Sequence, residues 1–80
     1  MEYLKSVIPV IESNYDNFTT VERSIADFFI YNREEMDFSA KAVAGKLFVS
    51  EASLSRFAKK CGFKGYREFI YQYGENFVVK

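Results

Sequence analysis

Apolar residues along this chain return at intervals of three and four, and nowhere keep up the alternation of a strand, so the pattern predicts helices throughout. Leu4, Val7, Ile8 and Ile11 share one face of a first helix from about Glu2 to Ser13, which Pro9 kinks or divides. A second helix opens after Phe18. Thr19 or Thr20 caps it, Glu22 or Arg23 enters its first turn, and Val21, Ile25, Phe28 and Phe29 form its stripe before it ends near Tyr31 and Asn32. REEMDF then connects, with Met36 and Phe38 packing beneath it. Ser39 caps a third helix with inner face Ala40, Val43, Ala44 and Leu47, and Phe48 and Val49 break it. Ser50 caps a fourth, with Glu51 in its first turn where the helix dipole favours a carboxylate. That helix buries Leu54, Phe57, Ala58 and Cys61 and stops at Gly62, a residue suited to a left-handed cap. A last helix from about Tyr66 carries Phe69, Ile70, Tyr73 and Phe77 on one side. The expected fold is all-α, a compact bundle of about five helices.

The short break between the third and fourth helices forces a steep crossing, which predicts a homeodomain-like helix-turn-helix over about residues 39–61. Ala44 is small where the helices cross and Val49 plugs the turn. With Leu54 at zero and 100° per residue, the buried set of the fourth helix lies within about 60° to either side. Ala52, Ser55, Arg56 and Lys59 lie opposite, with Ser53 and Lys60 on one flank. Small residues there let a helix sink into a major groove. Serine hydroxyls pair with several bases, alanine touches a thymine methyl, and arginine bridges the two acceptors of guanine. The base-reading candidates are therefore Ser50, Glu51, Ala52, Ser53, Ser55 and Arg56. The phosphate candidates are Lys59, Lys60, Lys64 and Arg67, the Tyr66 hydroxyl, and Ser39 with the free amides of the third helix and nearby Lys41.

Charge supports that partner once it is divided along the chain. The net charge of the 80 residues is zero, with 11 basic and 11 acidic residues. Residues 1–38 hold three basic and eight acidic groups, and residues 39–80 hold eight and three, so the halves carry −5 and +5. One side of a small domain is thereby made attractive to a polyanion. The single cysteine, Cys61, permits no internal disulfide, sits on the inner stripe as a small hydrophobe, and fits a reducing, cytoplasmic setting. Histidine is absent, and no paired thiols or phosphate loop occur, so the sequence offers no catalytic residue, metal site or cofactor site. No apolar run is long enough for a membrane span. The apolar faces of the first and last helices exceed what one small domain readily hides, which makes one or both candidates for a homodimer interface.

TTVERSIADFFIYNREEM followed by SAKAVAGKLFVSEASLSRFAKKCGFKGYREF resembles, over roughly residues 19–70, the N-terminal DNA-binding domain of the RpiR family of bacterial transcription regulators. The resemblance implies a wingless helical domain, usually dimeric, bound to a double-stranded operator near genes of sugar metabolism, with Ser50 to Lys60 as the DNA-reading helix. It also implies a following sugar-isomerase-like domain that senses phosphosugars. The chain stops at Lys80, about where the linker to such a domain would begin. Residues 1–80 are accordingly expected to be a single DNA-binding domain without its effector domain. Phe48 stands where the family often has glycine; a bulky residue there would be strained, so the turn is expected to relax or Phe48 to pack inward. The alternative is a helical protein-interaction module that binds no DNA and whose basic helix is merely solvated.

Overall fold

The computed structural model describes residues 7–32 and 36–74, and every regular element among them is helical. The first, α1, spans Ile8–Ser13. Pro9 lies in its first turn, where the missing amide costs nothing, so the proline starts this helix instead of kinking it. Leu4 falls outside the described residues. Beyond α1 comes a turn of 3-10 helix, Tyr15–Asn17, that the apolar pattern does not announce. Side chains cause it: Ser13 Oγ and Asn14 Nδ2 both donate to the Val10 carbonyl, at 3.0 and 2.9 Å, and divert the backbone from continuing. Arg23 then reaches back to the Tyr15 and Asp16 carbonyls and lies 5.2 Å over the Tyr15 ring.

Thr19 caps the second helix, α2, Thr20–Tyr31, in a reciprocal box. The Glu22 amide donates to Thr19 Oγ1 and the Thr19 amide donates to Glu22 Oε1, which satisfies two end donors at once. The buried stripe is Glu22, Ile25, Ala26 and Phe29, not the expected set beginning at Val21. Val21 is 45% exposed and Phe28 only partly buried, because the small Ala26 faces the core and turns the helix to bring it inward. Phe29 is the centre of the interior. Its ring lies 4.9 Å from Phe69 and 4.8 Å from Tyr73 edge to face, and 6.1 Å from Phe57 in near-parallel stacking. The Tyr73 hydroxyl donates to the Phe29 carbonyl at 3.1 Å.

Three helices complete the domain: α3, Ala40–Leu47; α4, Glu51–Lys60; and α5, Tyr66–Gly74. Met36 and Phe38 pack against the core, as the connector was expected to allow. α4 is the hub, packed on α2, α3 and α5, and Leu54, Phe57 and Ala58 on its inner side are wholly buried. Burying a leucine or phenylalanine stabilises by about 1.5–3 kcal/mol, so this helix is held by its inner face, not by helix propensity.

The surplus apolar surface expected for a dimer is largely consumed within the domain. Val7, Ile11, Phe69 and Tyr73 lie in its own core, and Ile8 and Ile70 pack partly against it. Phe77 lies outside the described residues. Single helices cannot reveal this, because their stripes face one another only once the bundle closes.

Candidate nucleic-acid interface

α3 and α4 are joined by Phe48, Val49 and Ser50, and the connection is fixed by backbone geometry. The Phe48 and Val49 amides both turn back to the Ala44 carbonyl, the latter at 3.0 Å. α4 ends in the same kind of reversal, with the Gly62 amide on the Lys59 carbonyl and the Phe63 amide on the Ala58 carbonyl. Both reversals need one residue in the left-handed region. At the end of α4 that residue is Gly62, at φ 97°; at the end of α3 it is Phe48, at φ 59°. The turn therefore neither relaxes nor draws Phe48 inward: the ring is 94% exposed.

Ser50 Oγ accepts from the Ser53 amide at 3.1 Å and caps α4. The inner face takes the places expected of it, with Leu54 and Phe57 fully buried and Cys61 7% exposed. On the opposite side Ala52, Arg56 and Lys59 are exposed and Ser55 half-buried, and Glu51 is exposed in the first turn, at the edge of the buried arc. Thus Ser50, Glu51, Ala52, Ser55 and Arg56 share an accessible surface at and beyond the helix start. Lys41 on α3, and Lys64 and Arg67 around the start of α5, are exposed as well.

Four candidates are placed differently. Ser53 is 7% exposed; its hydroxyl lies 2.9 Å from Ser50 Oγ and accepts from Arg56 Nη2 at 3.2 Å. It joins the cap to the arginine instead of presenting its hydroxyl outward. Lys60 reaches across to α2, where its ammonium lies 2.8 Å from Glu22 Oε1 and 3.1 Å from the Asn17 carbonyl. The Tyr66 hydroxyl donates to the Phe38 carbonyl at 2.8 Å, and burial drives its ionisation far above the usual tyrosine range. At the start of α3, Ser39 Oγ accepts from the Ala42 amide while the Ser39 amide donates to Asp37 Oδ1 at 2.9 Å. A carboxylate thus already occupies that end, which weakens it as an anion site.

Glu22 is the functional partner that the sequence reading passed over. It is 4% exposed and accepts through one oxygen from both the Thr19 amide and Lys60. Burial pushes its carboxyl up, but the hydrogen bonds from Lys60 and Thr19 and the lysine charge outweigh burial and hold it below the usual range. The available signal was the Thr19-x-x-Glu22 spacing of a capping box, which marks Glu22 as anchored at its helix start.

Among the described residues no helix is long and apolar enough to cross a membrane. Residues 5–77 match a family described as the helix-turn-helix domain of the rpiR family. Over 74 residues, 91% of its length, the chain is 30% identical to a protein of Pseudomonas aeruginosa named HTH-type transcriptional regulator HexR, of which it covers 26%.

Proposed function

The chain belongs to the rpiR family of helix-turn-helix domains, a family of DNA-binding regulators and not of enzymes, and on that premise we propose that it reads a specific duplex sequence through α4. One observation carries this reading. α4 is anchored by a fully buried inner face while Ala52, Arg56 and Lys59 stand exposed on its outer side and Glu51 is exposed in its first turn, directly after a tight turn from α3. A helix held this way presents its start to base edges and its later cations to the backbone.

In the proposed complex Ser50, Glu51, Ala52, Ser55 and Arg56 meet the bases, with Arg56 bridging the two acceptors of a guanine. Lys41, Lys59, Lys64 and Arg67 contact phosphates and Ser39 supports them at the start of α3, while Ser53, Lys60 and Tyr66 hold the frame. The resemblance to a transcriptional regulator, and the quarter of that relative's length that the chain spans, support a place as one domain, residues 1–80, of a transcription regulator, for which we propose genes of sugar or phosphosugar metabolism as the targets. Its effector site would lie on another domain, and a homodimer would read two half-sites about one DNA turn apart.

The test is binding to a duplex selected from a random pool, and to a random duplex, across a salt series. Each neutralised phosphate contributes a slope of about −0.9 in log affinity against log salt, so four cations give roughly −3.6 for each bound domain. Arg56→Ala is expected to lose about 1–3 kcal/mol on the selected duplex and little on the random one. Equal losses on both would make Arg56 a backbone contact. Failure to bind either duplex at low salt would return the basic helix to a solvated face of a protein-interaction module.

A further inference from the structure

Phe48 combines two costs that the fold does not recover. It is the one non-glycine residue with positive φ among those described, and its ring is 94% exposed, the highest value among the exposed large apolar side chains. A side chain in the left-handed region is disfavoured by contact between its Cβ and the backbone. Where such strain persists, something else in the structure ordinarily compensates, and an exposed ring provides no packing in return. The same molecule shows the unstrained solution: the matching position after α4 is Gly62. Nothing blocks glycine at the end of α3, since the turn is held by the Phe48 and Val49 amides on Ala44 and not by the ring.

The surroundings indicate what the ring meets. Phe48 stands two residues before Ser50, the cap of α4, so it leads directly into the helix start assigned to base edges. Exposed residues run through it on both sides: Gly45 and Lys46 before, then Ser50, Glu51 and Ala52. Lys41, Lys46, Arg56 and Lys59 make α3 and the outer side of α4 predominantly basic, with Glu51 as the one acidic residue of the two helices. An apolar ring within a basic surface suits duplex DNA, whose grooves offer thymine methyls and sugar edges between phosphates.

We propose that Phe48 is a DNA-contacting residue that sets specificity, its ring held outward by the left-handed turn so that it enters the groove beside the start of α4. The strain is then a cost to folding that is recovered on binding. The proposal rests on the DNA-reading function above and adds an apolar contact to it.

The experiment compares the 80-residue wild-type chain with Phe48→Gly, Phe48→Asn and Phe48→Tyr. Thermal melting is measured, together with affinity for a duplex selected by the wild-type chain and for a random duplex. Glycine and asparagine both accept the left-handed conformation. Both variants are expected to melt several degrees higher, and both to bind the selected duplex roughly tenfold more weakly, with the salt slope unchanged because no charge is removed. Phe48→Tyr keeps the ring and is expected to keep the affinity. Asparagine separates loss of the ring from the added flexibility of glycine: if only Phe48→Gly lost affinity, the ring would not be the contact and the proposal would fail. Wild-type binding with unchanged affinity in all three variants would overturn this inference and leave the DNA-reading function standing. A wild-type chain that bound no duplex would overturn both.

Discussion

Lys60→Met asks whether a lysine at the end of the reading helix serves the DNA or the fold. Deleting one partner of a fully buried ion pair costs about 3–5 kcal/mol, whereas an exposed pair is worth about 0–1 kcal/mol. Here the Glu22 side chain is 5% exposed and the Lys60 side chain 40%, so the pair lies between those limits. Glu22 Oε1 keeps the Thr19 amide at 2.9 Å after the change, which softens the loss. About 2 kcal/mol is expected, a fall of roughly 10 °C in melting temperature for a domain of this size. Methionine retains most of the aliphatic stem, so lost packing contributes little. The double variant Glu22→Gln with Lys60→Met removes both charges and should recover most of the stability, because a buried pair replaced as a whole is often neutral. A titration of duplex affinity against salt decides the second half of the question. A phosphate contact at Lys60 would take about 0.9 from the slope; a lysine committed to Glu22 leaves it unchanged. An unaltered melting temperature together with a slope reduced by about one would refute the assignment.

The same pair sets an acid dependence whose sign can be worked out. Glu22 has its folded pKa below the ordinary value of 4.5, so the unfolded chain binds its proton more readily. The stabilisation is complete above that ordinary value and is lost as pH falls through the folded one. Lys60→Met removes the main opposition to burial, so its stability should fall less on acidification. The difference between the two chains should narrow below about pH 4, within the ordinary glutamate range. A gap that stayed constant to pH 3 would mean that Glu22 and Lys60 are not coupled.

Other substitutions follow from the same contacts. Tyr66→Phe removes the donor to the Phe38 carbonyl and should cost about 1 kcal/mol in urea unfolding; a lowered salt slope of duplex binding would instead place its hydroxyl on a phosphate. Burial pushes the Cys61 thiol up to about 11, so at neutral pH it is protonated as well as enclosed. Its labelling by a thiol reagent should therefore follow global unfolding across a denaturant series, and rapid labelling without denaturant would contradict its place in the core. Phe29→Ala opens the centre of the aromatic cluster and should cost about 3–5 kcal/mol. That approaches the whole stability of a small domain, so circular dichroism should show a largely unfolded chain.

The positions legible in the sequence were those governed by local rules. Ser39, Ser50, Gly62 and the inner stripe of α4 each follow from a cap preference or a helical period, and the structure has them where expected. Local rules fail where a neighbour decides. On the wheel of α4, Ser53 and Lys60 lay on one flank, neither inward nor outward, and a lone helix gives no reason to treat them differently from Arg56. Packing of α2 against α4 gives Lys60 a partner, since Glu22 brings a carboxylate to that flank. Ser53 is buried beside it and bonded to Ser50 and Arg56. The apolar excess shrinks in the folded chain for a related reason: stripes on separate helices add up to surplus until their mutual burial is known, and Val7, Ile11, Phe69 and Tyr73 lie in the domain's own core. Phe48 departs in the opposite sense. Geometry asked for a left-handed residue and chemistry supplied one that resists it, so neither relaxation nor burial, the two outcomes that would spare energy, occurs. The charge division also changes meaning in the folded chain. The acidic half is not simply a solvated counterweight to the basic one, because Glu22 from it holds the last residue of α4. One acidic residue thereby uses one of the cations of the basic half to fix the helix on which Arg56, bonded to Ser53, and Lys59 are exposed.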